Sequence, residues 1–397
     1  MSHWSDLAIE IDGRGFNNIN KYICSGCVED EFLKNWIEEN SIETGECDYC
    51  HRIHNIVPME DIMNEVIMKT IRKYYENAEG NMHWDNEEDE YWGSTYDTED
   101  VVGDFAEQIS SDQQVIDDII NAIHDITWCK YYPYGMTERE VCEYSWKSFS
   151  DTVKYKNRYF FLQQHDDEDY ERYSPFSILS IIAENAKKLG IIKTLPANFD
   201  FYRVRIFNNK KDILLDGANL GAPPQKIAGT DRMSARGISA FYASDKLETS
   251  LKELKNKDPN RNIIAYGKFN NVRELKYLDL TNIKSMSLPS IFDLKQYELR
   301  EAILFLKDLN NDLTRPIEGL HDIEYVPTQI FAEYFKFAEH LDGIKYSSSK
   351  DHNESCYVLF FDNEQCIDDS KKESWLQNCE LKLVDANIIN EASTKNL

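Results

Sequence analysis

Four cysteines, Cys24, Cys27, Cys47 and Cys50, form two C-x2-C pairs separated by nineteen residues. Each pair can bend around one ion, and four thiolates complete a tetrahedral shell of the kind Zn2+ takes. Four sulfurs leave no open coordination position, so the chemistry this spacing points to is structural; a redox dithiol is the alternative. His51 and His54, which follow directly, read as surface residues. A second group lies further on. In Phe201-Tyr202-Arg203-Val204-Arg205-Ile206 the alternation is strict, which sets Arg203 and Arg205 on one face of a strand. Two guanidinium groups on one face repel each other unless an anion or solvent lies over them, and bidentate recognition of phosphate is the usual functional use. An edge strand facing solvent is the bland alternative. Arg232, Gly237, Tyr242 and Glu253 then bring a cation, a turn, a phenol and a carboxylate together in a short stretch.

The elements around these residues follow from pattern. Gly237 is expected to turn the chain into a strand from Ile238 to Ala243. Asp245 and Glu248 read as a D-x-x-E helix start before Leu247, Leu251 and Leu254, and at 100° per residue Glu253 falls off that leucine face. Whether it meets a cleft or bulk water stays open at this stage. Upstream, Phe32 to Ile37 has helical spacing between the cysteine pairs, and Ile62, Val66, Ile67 and Ile71 recur at helical steps, as do Val115, Ile119, Ile120 and Ile123. Ser174-Pro175 caps another helix that closes at Lys187-Lys188-Leu189-Gly190. After Leu195-Pro196 the pattern changes to strands and loops. Tyr357 to Phe361 reads as a buried central strand, and Thr328 as a helix cap, with Thr328 and Gln329 lining the pocket as the alternative. The predicted division is a four-cysteine unit over 1–57, a mainly helical domain over 58–193 and a catalytic domain over 194–397.

The bulk properties narrow the partners. The 397 residues carry 44 basic against 71 acidic side chains, a formal net charge of −27 that repels a polyanion, so nucleic acid is not expected. No run is long and apolar enough to span a bilayer, and the first residues lack the basic and apolar regions of a signal peptide, so a cytoplasmic protein without membrane contact is expected. Cys129, Cys142, Cys356, Cys366 and Cys379 read as small hydrophobes. The acidic, aromatic run His83 to Gly93 and a second acidic run, Asp166 to Glu171, read as solvated loops.

The arginine, tyrosine and glutamate spacing resembles that of RES domains. Their pattern is an arginine ending a first strand, a second arginine before a glycine turn, a tyrosine ten residues on, a glutamate about eleven further and a late serine after a Gly-hydrophobic strand. Here these are Arg203, Arg232, Tyr242, Glu253 and, in Gly343-Ile344-Lys345-Tyr346-Ser347-Ser348, Ser348, with Ser347 one residue away. Ala235-Arg236 stands where many relatives have a proline. The first half of the chain resembles the domain that precedes RES in HEPN/RES proteins. Arg158 and His165 touch on a HEPN ribonuclease motif, but Tyr159 to Leu162 reads better as a packed apolar segment, and RNase activity is not expected.

The resemblance implies an α+β protein: a zinc knuckle and helical domain followed by a mixed α/β RES domain related to the ADP-ribosyltransferase fold. It implies cleavage of the nicotinamide–ribose bond of NAD by a toxin-like or anti-phage effector, with water, inorganic phosphate or a protein side chain as acceptor. Glu253, Arg232, Tyr242 and Ser348 would be catalytic. Arg203, Arg205, Arg232, Ser234, Tyr242 and Ser347 would hold NAD. An antitoxin, immunity or sensor protein is the implied partner, and a homodimer is expected from symmetry statistics. A nucleotide-binding interaction module is the rival reading.

Overall fold

The computed structural model describes residues 13–159, 172–209, 213–254, 263–315, 321–348, 350, 353–369 and 378–389. His165, the acidic run from Asp166 and Ser349 lie outside these. The chain divides into two compact units, Met1–Thr137 with Leu288–Glu301, and Glu138–Ser287 with Ala302–Leu397.

In the first unit, strands β1 (Tyr22–Cys24), β2 (Glu43–Glu46) and β3 (Ile53–Pro58) make an antiparallel sheet in the order β1-β3-β2. The helix Glu31–Asn40 lies between the cysteine pairs. Asp30 caps it by accepting from the backbone N–H groups of Phe32 and Leu33, and Leu33 and Ile37 are buried. Met59–Ile62, the π turn Met63–Ile67 and Met68–Tyr74 follow as continuous helical backbone, with Ile62, Val66, Ile67 and Ile71 all buried. The helices Thr98–Ile109 and Gln113–Ala122 start at Asp97, through a capping box with Asp100, and at Asp112. Their faces share a core with the sheet. Short strands β4 (Tyr75–Asn77) and β7 (Trp128–Lys130) pair, as do β5 (Trp84–Asp85) and β6 (Glu90–Tyr91). The acidic, aromatic run is therefore a hairpin rather than a bare loop, held by an edge-on contact between Trp84 and Tyr91 and by Trp92 Nε1 donating to Asp85 at 3.0 Å.

The second unit contains a nine-stranded sheet. Its strands are β8 (Ile192–Leu195), β9 (Asp200–Phe207), β10 (Phe241–Ser244), β11 (Ile263–Asn271), β12 (Leu275–Asp279), β13 (Gly343–Ser347), β14 (Ser355–Leu359), β15 (Cys366–Asp368) and β16 (Leu381–Ile389). They run in the order β15-β16-β11-β9-β10-β14-β13-β12-β8, and only β12–β13 and β15–β16 pair in parallel. Both faces are covered, which is why β14 reads as an unbroken apolar run: Val358 joins the core on one face, and Tyr357 and Leu359 the core on the other.

The helices Glu138–Tyr155 and Pro175–Lys188 pack in the first of these cores, through Trp146, Phe149, Ile178 and Ile182 against Phe305, Leu309 and Phe331. Both helices lie within the 58–193 stretch expected as the helical domain, and by contacts they belong to the second compact unit. Among the described residues no helix is long and apolar enough to cross a membrane.

Candidate functional site

Adjacent strands β9, β10, β14 and β13 and the loop before β10 enclose a cleft of about 340 Å3. Arg203, Arg232, Tyr242, Glu253 and Ser347 line it. Ser348 stands next to it, fully buried, with its hydroxyl donating to Glu253 Oε1. Ser234 lies behind Tyr242, their hydroxyl oxygens 3.1 Å apart. Arg205 is not part of the wall; its Nη2 donates to Gly221 O at 2.6 Å.

Arg203 reaches the cleft by an indirect route. The alternation of β9 sets it on the side of Phe201, whose ring belongs to the opposite core. Among the described residues, however, β9 and β10 pair only at Ser244 and Tyr202. Where the strands diverge, the guanidinium enters the gap, donates to Tyr242 O and lies 5.5 Å from the Phe241 ring centroid. Its Nε and that of Arg205 are buried without a hydrogen-bond partner. Burial holds the basicity of Arg203 below its ordinary value, and burial together with the Arg203 charge pushes Arg205 down to about 9. Burying two like charges side by side costs several kcal/mol. Of the two, only Arg203 lines the cleft, where an anion would offset the cost of burying it.

Arg232 is held differently. Nη1 donates to Leu313 O at 2.7 Å and Nη2 to Arg315 O at 2.8 Å, so it caps the last carbonyls of the helix Tyr297–Thr314, with the Tyr325 ring 5.3 Å away. The loop that carries it is pinned at both ends. Gly237, at φ +86°, turns back so that its N–H meets Ala228 O, and only glycine takes that conformation without strain. Thr328 Oγ1 donates to Arg232 O, and Gln329 Nε2 to Asp231 O at 2.9 Å. Thr328 thus fixes the loop, and the cap of its helix is Tyr325, without a side-chain bond.

Glu253 is the first residue past the helix Leu247–Lys252, and its N–H still bonds Thr249 O at 3.0 Å. The helix begins after Lys246, which caps nothing with its side chain, so Asp245 is not the capping residue the D-x-x-E pattern suggested. The strand before it begins at Phe241, not Ile238, because Ile238 N–H closes a turn onto Ala235 O. Glu354 ties this helix to the serine strand. Its carbonyl accepts from Ser348 N–H at 2.8 Å, and its carboxylate takes Thr249 Oγ1 at 2.8 Å and Lys246 Nζ at 3.1 Å. Sequence reasoning gave no role to Asp231, Tyr346 or Cys356, which also line the cleft. Tyr346 had a readable signal: it alternates with Ile344 and Ser348 along the serine strand.

The four cysteines of the first unit converge. Cys24–Cys27, Cys24–Cys50 and Cys27–Cys47 are each 3.7 Å apart at sulfur, and all four sulfurs lie within 4.8 Å of one another. A tetrahedral ion with metal–sulfur bonds of about 2.3 Å has edges of about 3.8 Å, so the donor set fits one soft cation. Backbone hydrogen bonds from Gly26 to Cys24 and from Arg52 to Cys50 favour the thiolates, while burial first, and then the neighbouring thiols of Cys50 and Cys47, push Cys24 up to about 11. Cys129, Cys142, Cys356, Cys366 and Cys379 are buried and apart from this group. Arg158, past the end of the helix Glu138–Tyr155, donates back to Val153 O of that helix.

Residues 40–167 match the family described as HEPN/RES N-terminal domain 1, and residues 201–381 match the RES domain. No curated protein matches the chain. In the crystal structure of the M. tuberculosis MbcT-MbcA toxin-antitoxin complex, one chain is 14% identical, with 55% of this chain and 96% of that chain covered and a TM-score of 0.32. That likeness is too distant to bear on the site.

Proposed function

We propose, for a chain that carries a HEPN/RES N-terminal domain 1 followed by a RES domain, that the cleft cleaves the nicotinamide–ribose bond of NAD. One observation carries the proposal: the Glu253 carboxylate, oriented by the Ser348 hydroxyl, shares a single cleft with Arg203 and Arg232. Breaking this bond leaves positive character on the ribose, which a nearby carboxylate stabilises more in the transition state than in the ground state. Nicotinamide departs with the bonding electrons, and an acceptor oxygen adds to C1′ with loss of its proton. Arg203 holds the diphosphate. Arg232 walls the same end, Tyr242 packs beside the ribose, and Ser347 and Ser348 position the nicotinamide end. Ser234 and Arg205 act through their neighbours, Tyr242 and the Gly221 loop.

Water as acceptor gives ADP-ribose, inorganic phosphate gives its 1″-phosphate, and a protein side chain gives the ADP-ribosyl transfer that a likeness to ADP-ribosyltransferases would imply. Depletion of NAD would make the chain toxic to its cell and call for an antitoxin or immunity partner. The four-cysteine group, in this reading, holds one structural Zn2+. A second reading is favoured by one observation: Arg203 and Arg232 both spend donors on backbone carbonyls, as expected of a cleft that binds nucleotide without turning it over. Incubation of the purified protein with NAD, with and without phosphate, followed by mass spectrometry, separates the two. Nicotinamide release is the expected result, and its absence under both conditions leaves the binding module.

A further inference from the structure

The hairpin β5–β6 of the first unit carries charges and rings in an arrangement that costs free energy as it stands. Its register sets Trp84 opposite Tyr91 and Asp85 opposite Glu90. Like charges directly across an antiparallel pair repel each other, and Glu87, Glu88 and Asp89 at the turn add to the same sign. Among the described residues the Asp85 carboxylate accepts only from neutral donors, the backbone N–H groups of Glu87 and Glu88 and the Trp92 indole. From Glu76 to Cys129 the chain has no lysine or arginine, and Lys130, the next cation, is paired with Asp104.

Tyr91 anchors the hairpin by packing on the small apolar cluster of Ala78, Met82 and Cys129. Trp84 and Trp92 stay 39% and 57% exposed, with Tyr91 and His83 edge-on to them at centroid distances of 4.7 and 4.4 Å. Edge-on contact of this kind leaves indole face open. Tyr134, 58% exposed, meets the base of the hairpin, where its hydroxyl accepts from His83 N–H. Exposed rings grouped in this way mark a surface that a partner covers, and tryptophan and tyrosine are the residues on which interface energy concentrates. The charge selects the partner. The carboxylates of the hairpin repel nucleic acid and anionic lipid alike. An arginine side chain, by contrast, pairs with a carboxylate through its fork and stacks flat on an indole.

We propose that the β5–β6 hairpin is a docking surface for a basic, arginine-bearing peptide segment of a partner protein, whose guanidinium groups pair with Asp85 and Glu90 and lie on the open faces of Trp84 and Trp92. A bound cation removes the cross-strand repulsion and covers the rings in one step. This surface owes nothing to the NAD reading of the cleft.

A short fluorescein-labelled peptide of alternating arginine and glycine, titrated with the full chain at physiological salt and read by anisotropy, should bind saturably. A glutamate–glycine peptide of equal length should not bind. Trp92→Ala should weaken the arginine peptide by roughly tenfold, the loss of an interface hot spot. Glu90→Gln keeps the side-chain shape and should weaken it severalfold, while the thermal midpoint of the free protein stays level or rises because the repulsion with Asp85 is gone. Glu39→Gln, at an exposed carboxylate on the helix Glu31–Asn40, should change nothing. If Glu39→Gln costs as much as Glu90→Gln, net charge alone holds the peptide and the proposal is overturned. Wild-type affinity in Trp92→Ala, or no binding to the wild type, overturns it as well. A serine–glycine peptide bound as tightly as the arginine peptide would assign the rings to an uncharged ligand, with the same consequence.

Discussion

The cysteine cluster and the cleft are built by opposite means. Cys24, Cys27, Cys47 and Cys50 need two tight turns and the short β1–β3 pairing to meet, and every distance among them is set within one small sheet. The cleft draws Arg203, Arg232, Tyr242, Glu253 and Ser348 from elements spread over almost 150 residues, and they meet only because β9, β10, β14 and β13 stand side by side. A site fixed by local turns shows its geometry in its spacing. A site fixed by sheet order shows only its residue types, and the same spacing would look no different had the strands been shuffled.

The largest effect should separate the two regions outright. Glu253→Gln keeps the length of the side chain and an oxygen to accept from Ser348, and removes the charge. Nicotinamide release should fall by about a hundredfold or more, the scale of a lost electrostatic contribution in a closed site, while metal content and thermal midpoint are unchanged. A variant at wild-type rate would remove Glu253 from the chemistry and make the cleft a binding site.

The converse is Cys27→Ser, at a buried position of the four-cysteine group. Metal analysis should fall from about one ion per chain towards none, and the unfolding midpoint should drop, since ligand binding free energy in such clusters is folding free energy. Unchanged metal content would show that the sulfurs meet for packing alone. The midpoint also tests the local character of the cluster, because a chelator added to the wild type should reproduce the effect of the substitution.

What could be read beforehand follows the same division. The helix opened by Ser174 and Pro175 and closed at Gly190, at φ +61°, was legible because cap, first-turn proline and terminal glycine all act within a turn of one another. The alternation of β9 gave the shared face of Arg203 and Arg205. It did not give the divergence from β10 that lets Arg203 cross to the other side, since a splay depends on the partner strand. Asp245 failed as a cap for a related reason: the helix start is set by the turn out of β10, and the aspartate ends with a buried Oδ1 that no hydrogen bond satisfies. Glu253 was legible as off the leucine face, and only the β13–β14 hairpin with Ser348 and Glu354 decides that it meets a cleft.

Glu354 offers the finest test of how an assembled site is held. It contacts the glutamate helix twice, through buried Thr249 and through exposed Lys246. A hydrogen bond from a buried hydroxyl to a carboxylate is worth about 1–3 kcal/mol. An exposed ion pair is screened by water and salt. Thr249→Val should therefore lower the thermal midpoint and slow nicotinamide release a few-fold as Ser348 loses its register on Glu253. Lys246→Ala should change neither. If both variants behaved alike, charge and not hydrogen bonding would be what draws Glu354 to the helix, and adding salt to the wild type should then weaken the site as much as either substitution.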